Sequence, residues 1–169
     1  MTVRSMRATT MRRTTQDAGH RNETCLVELV AAIDPVDAAN AARHLAMARE
    51  VYAERRRRHK FLPADLFGEP TWDILLDLYI ALREERRVPT TSSCIGAHVP
   101  PTTALRWLRI LEARGLVERE DDGRDGRRTF VCLTRRGLTA MDASLASLHG
   151  NMSRVLRADE PTSGGVPAA

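Results

Sequence analysis

Residues 99–137 read VPPTTALRWLRILEARGLVEREDDGRDGRRTFVCLTRRG. Two prolines open the stretch and disfavour helix at the residue before each. A helix is therefore expected to start afresh at Thr102 or a neighbour, with a hydroxyl as cap. Ala104, Trp107, Leu108 and Leu111 share one face of that helix and should be buried. Thr102, Thr103, Arg106 and Arg109 fall on the opposite side. Gly115 ends the helix in a left-handed cap. Leu116 to Glu120 and Arg128 to Leu133 are short strand candidates, and DDGRDG between them is turn chemistry. The pair predicts a β-hairpin. Thr134 then caps a final helix.

Working outward, TTSS at 90–93 offers caps for a short helix reaching about Ala97. Gly96 weakens that helix from within. A tight turn joins it to the next one, at His98, where glycine would be usual; histidine tolerates the left-handed region better than most residues. Helix, turn, helix and hairpin in this order form a helix-turn-helix with an adjoining wing. Upstream, Pro70-Thr71 opens a helix with Trp72, Leu75, Leu76, Tyr79 and Leu82 on a broad apolar face, ending in the charged run REERR. The connector FLPADLFGEP should dock through Phe61, Leu62, Leu66 and Phe67.

Before it, Asp34-Pro35 starts a helix that reaches about Arg58, with an Ala-rich seam at Ala38, Ala41, Leu45, Ala48 and Tyr52. Arg55 to Arg58 sit at its C-terminal end and complement the helix dipole; a phosphate clamp is the lesser reading. Thr24 precedes a short helix carrying Leu26, Leu29, Val30 and Ile33 on one face. Downstream, Leu138, Met141, Leu145, Leu148, Met152 and Val155 step by three and four, a coiled-coil-like seam that must be covered by the domain or by a second copy. The expected divisions are a disordered basic arm at 1–21, a helical dimerisation segment at 22–62, the winged unit at 63–134, a dimerisation helix at 135–157 and a disordered tail at 158–169.

Composition agrees with a soluble globular chain: 169 residues, 28% charged, net charge +4, pI about 9.5 and mean hydropathy −0.34. Lys60 is the only lysine, so the basic excess is arginine, whose planar fork suits phosphates and guanine edges. No apolar run is long enough to span a bilayer. Cys25, Cys94 and Cys132 are odd in number and widely spaced, which argues against a disulfide framework and for a reducing cytoplasm. Cys94 and His98 stand four apart, but two ligands do not make a zinc site. Cys94 and Cys132 read as small packing residues. No Gly-rich phosphate loop or nucleophile motif is present, so no enzyme and no cofactor is expected.

The stretch LEARGLVER at 111–119, the basic wing and VCLTRRG at 131–137 resemble the MarR-type winged-helix transcription regulators. The pattern is fairly specific to winged helices and covers roughly residues 70 to 140. The resemblance implies a mainly α fold with a small hairpin wing, flanked by dimerisation helices. It implies a homodimer on a pseudo-palindromic double-stranded site, read by Pro101, Thr102, Thr103, Arg106 and Arg109. The DNA-binding wing is Arg124, Arg127 and Arg128: a wing arginine would enter the minor groove, Arg127 first and Arg124 second, and for Arg128, close to the strand, local pairing is the alternative. Repression by occluding a promoter, and a phenolic small-molecule effector in a cleft near Trp72, Tyr79 and Phe67, come from resemblance alone. The competing readings are a winged-helix protein-interaction module and a Cys/His metal- or redox-responsive sensor on the same fold.

Overall fold

The computed structural model describes Leu29, residues 38–122 and residues 125–158, the side chains at 125–127 excepted. In chain order the elements are α1 (Ala38–Arg57), α2 (Pro70–Arg83), β1 (Val88–Pro89), α3 (Thr90–Gly96), α4 (Pro101–Ala113), β2 (Val117–Asp122), β3 (Asp125–Leu133) and α5 (Arg135–Ala158). Short 3-10 turns at Arg58–Lys60 and Ala64–Leu66 occupy the connector. The expected arm, the helix after Thr24, the Asp34-Pro35 start and all but the first residue of the tail lie outside the described residues. So does Arg124.

The core is built around α2. Its sequence, PTWDILLDLYIALR, is apolar on more than one face, and such a helix is buried all round. Ile74, Leu76, Leu78, Tyr79, Ile80, Ala81 and Leu82 are all buried. The one-sided face expected from Trp72 and Leu75 is corrected: both are half-buried, while Ile74, Leu78 and Ile80 lie inside. The reason is that α1, α3, α4, α5 and β3 all pack against α2.

The strands form an antiparallel sheet in the order β1-β3-β2. Leu133 pairs with Val117 and Phe130 with Glu120 in the hairpin, and Val88 pairs with Val131 on the other edge. Strand β1 was not expected. It has two residues, one a proline, and an edge is where a strand proline is tolerated. The hairpin is longer than expected, since Asp121, Asp122, Asp125 and Gly126 belong to its strands. A two-stranded ribbon in solvent needs no apolar alternation, so its length leaves little trace in the sequence.

Gly115 has φ 66. Its N–H bonds to Glu112 O at 2.9 Å, and Leu116 N–H to Leu111 O at 3.0 Å. That is the Schellman arrangement, which satisfies the last carbonyls of α4. Thr134 caps α5 as expected: its Oγ1 accepts from Gly137 N–H at 3.0 Å and donates to Gly115 O at 2.7 Å. The hydroxyl caps expected for α3 and α4 are not used. The cap positions are Pro89 and Pro100, and Pro101 is the first residue of α4.

The apolar seam of α5 divides in two. Leu138, Met141 and Leu145 are buried within the chain itself, Leu148 is half-buried, and Met152 and Val155 are 51% and 62% exposed. The expected single dimer seam is thus corrected: its first half belongs to the domain core. Asp142, on the same helix, is a hub. Tyr79 Oη donates to Asp142 Oδ1 at 2.6 Å, Arg83 Nη2 to its two oxygens at 2.8 and 3.0 Å, and His44 Nδ1 lies at 3.2 Å. This ties α1 and α2 to α5. Burial, then the bond to Asp142, raises the Tyr79 phenol above its usual range.

On α1 only Ala48 of the expected seam is buried. The connector is also corrected. Phe61, Leu62 and Leu66 are exposed in this chain, and Phe67 lies half-buried beneath the Arg58 guanidinium.

Candidate nucleic-acid interface

The reading head is set by the turn between α3 and α4. His98 takes φ 51, as the sequence suggested. Its N–H closes the turn on Ile95 O at 3.1 Å, and Ala97 N–H bonds to Ser93 O at 3.2 Å. Pro100 O accepts from Thr103 and Ala104 N–H at 2.9 and 3.0 Å, starting α4. Desolvation of the His98 ring, then the nearby Arg56 charge, keep its imidazole below the usual range. At neutral pH the turn therefore adds no cation.

Helix α4 buries Ala104, Leu108 and Leu111 and leaves Trp107 half-buried rather than inside. The remaining face turns outward: Pro101, Thr102, Arg106 and Arg109 are exposed, and Thr103 is half-buried. Neither Arg106 nor Arg109 pairs with an acid among the described residues. Most arginines elsewhere are spent on internal contacts. Arg55 bonds Asp73 at 2.6 Å and also pairs with Glu69. Arg57 pairs with Glu50 and Arg58 with Glu54. Arg49 pairs with Glu84 at 2.7 Å, and Arg119 with Glu112 at 3.1 Å. So the 55–58 run is divided: Arg55 docks α1 onto the start of α2, while Arg57 and Arg58 pair with acids of α1 itself, at the C-terminal end where basic charge complements the helix dipole.

The hairpin stands beside α4. Thr90 Oγ1 donates to Thr129 O at 2.8 Å, which pins the start of α3 to β3. Arg87 lies over the Phe130 ring at 3.8 Å and 4.0 Å from Glu120, a brace at the base of the hairpin that sequence reasoning missed. Arg128 is exposed on β3 and has no acid partner among the described residues, so the alternative of local pairing finds no support there. Arg127 belongs to the same strand by its backbone, and its side chain lies outside the described ones.

The fold is a winged helix-turn-helix. Within it, the sensor geometry imagined for Cys94 and His98 is absent. Helix α3 stops at Gly96, so the two do not share a helical face; Cys94 is buried and His98 exposed. Burial pushes the Cys94 thiol above its usual range, away from a reactive thiolate. Among the described residues no group of three or more His, Cys, Asp or Glu side chains is placed to hold a metal ion. Cys132 is half-buried on β3 and packs against the core, as expected.

A cleft of about 780 Å³ opens between α1, the start of α2 and α5, with Met47, Val51, Trp72, Leu148 and Met152 among its lining. It adjoins a hollow of about 590 Å³ bounded by Leu75 and Trp107, the two sharing Trp72 and Ser144. Of the three aromatics expected in an effector cleft only Trp72 lines it. Tyr79 is fully buried, and Phe67 is absent from the lining. No helix among the described residues is long and apolar enough to cross a membrane.

No protein-family model matches the chain, and no curated protein does. Among solved structures it is similar to the S. aureus MepR–DNA complex, at 20% identity and TM-score 0.46, over 64% of this chain and 86% of that one. It is similar to S. aureus MepR bound to ethidium bromide, at 22% identity and TM-score 0.45, over 68% and 80%. The transcriptional regulator Tm0710 from Thermotoga maritima matches at 21% identity and TM-score 0.46, over 70% and 73%.

Proposed function

We propose that this winged helix is a MarR-type transcription regulator that reads double-stranded DNA with α4. One observation carries the reading: Thr102, Arg106 and Arg109 share the exposed face of α4, and neither guanidinium has an acid partner among the described residues, where most other arginines are spent internally. Hydroxyls and planar cations on one helix face suit phosphate oxygens and base edges in a major groove. Pro101 and Thr103 complete that surface. Arg127 is assigned to the minor groove beside it, with Arg124 second and Arg128 on a neighbouring phosphate. Residues 63–134 bind DNA, and 22–62 with 135–157 join two copies. A C2 dimer then sets two α4 helices on the half-sites of a pseudo-palindrome and represses by occluding a promoter in the cytoplasm. The cleft beside Trp72 takes a small-molecule effector.

The test is equilibrium binding of the wild-type protein to a duplex selected from a randomised library, repeated over a salt series. Neutralising each phosphate contributes roughly 0.9 to the slope of log K against log salt. A linear fall with a slope of several is expected. A flat plot, or no binding, removes the DNA reading and leaves the fold as a protein-interaction module.

A further inference from the structure

Helix α3 has seven residues, and its last-turn carbonyls need partners. Ser93 O and Ile95 O receive theirs from Ala97 and His98 N–H, within the turn. Gly96 O is held from outside. Arg56 Nη2 donates to it at 3.2 Å, and Tyr52 Oη reaches it at a longer 3.5 Å. Both side chains belong to α1. They brace each other, since the Arg56 guanidinium lies 4.0 Å from the Tyr52 ring centroid. Burial, then the Asp77 charge, raises the Tyr52 phenol, so it remains a hydrogen-bond donor.

The third wall is α2. A Cβ at Gly96 would meet Asp77 Oδ2 at 3.1 Å and Tyr52 Oη at 3.5 Å. The fit is close: a side chain at 96 needs the Asp77 carboxylate to give by a few tenths of an ångström. Two residues on, His98 turns the chain in the left-handed region, and α4 begins at Pro101. The tether on Gly96 thus acts just before the turn that aims the reading helix. It comes from a helix that does not belong to the helix-turn-helix, and Met47 and Val51 of that same helix line the open cleft.

We propose that Tyr52 and Arg56 are positioning residues for DNA recognition: by holding Gly96 O they lock the α3–α4 turn to α1 and fix the angle at which α4 meets the duplex. The inference rests on the DNA-reading assignment for its consequence, but the lock itself is a property of the free protein. Arg56→Ala and the milder Tyr52→Phe test it. Hydrogen–deuterium exchange of the free protein should show the segment 97–103 opening roughly tenfold more often in Arg56→Ala, with α2 and β3 protected as before. On the selected duplex, Arg56→Ala should bind roughly tenfold more weakly, with the log–log salt slope unchanged. Tyr52→Phe should move both readouts in the same direction and less far, and Arg56→Lys should recover part of each. Unchanged exchange in both variants overturns the lock. A salt slope lowered by about one per site overturns the positioning role, because Arg56 would then be touching phosphate itself. Should the wild type fail to bind duplex, the DNA assignment falls, and the exchange data still decide the lock.

Discussion

Gly137→Ala is expected to cost about 3 kcal/mol or more of folding stability, the upper end of what overpacking does. An added Cβ would sit 2.1 Å from Leu116 O and 3.1 Å from Leu116 C. The obstacle is backbone, and it is fixed on both sides. Leu116 O already accepts from Thr134 N–H at 3.0 Å, and Leu116 follows the left-handed Gly115. The joint between α4, the hairpin and α5 therefore has no slack. Alanine's better helix propensity, worth about 1 kcal/mol, does not offset this. Gly150→Ala is the control. It lies in the same helix, a Cβ there meets nothing within 4 Å, and it should gain roughly 0.5–1 kcal/mol. Urea denaturation of both variants measures the contrast. Equal midpoints for Gly137→Ala and wild type would show that α5 can shift away from Leu116.

The second large effect concerns assembly. Met152→Asp together with Val155→Asp should convert a homodimer into a folded monomer. Met152, Val155 and Leu156 are uncovered at the far end of α5, while Leu138, Met141 and Leu145 are sealed in the core. A charge at Leu145 would unfold the chain, so it tests nothing about association. Charges at 152 and 155 leave the core intact and are costly only if a second copy covers them. Helix content should stay at the wild-type level while sedimentation shows the halved mass. Losing the second reading helix removes its effective concentration at the adjoining half-site, and DNA affinity should fall roughly 100-fold. A wild type that sediments as a monomer contradicts this, as does a dimeric double variant.

Features written in adjacent residues were legible in the sequence. Gly115, Thr134 and the prolines at 100 and 101 act through their own backbone geometry, so α4, the hairpin and the start of α5 could be placed from local chemistry. The left-handed turn at His98 was legible for the same reason. Features set by partners distant in sequence were not. β1 is defined by a pairing of Val88 with Val131, which two residues of sequence cannot announce. Arg55 and Arg56 look like part of a free basic run until Asp73, Glu69 and Gly96 O are brought against them. The α5 seam has one period along its length, yet the chain covers only its first half, because α2 and β3 reach no farther. Within the site, the outward face of α4 was legible from periodicity. The α1 tether on Gly96 was not, since nothing in Tyr52 or Arg56 says which carbonyl they will find.

The claim that α4 reads bases is tested most directly by Arg106→Ala and Arg109→Ala, titrated against the selected duplex and against single-base variants of it. Each truncation should weaken binding to the selected duplex by roughly 1–3 kcal/mol, the worth of one good base contact. At least one of them should also lose discrimination at one base pair per half-site while keeping it at the others. If both variants bind every duplex as the wild type does, α4 is not the reader.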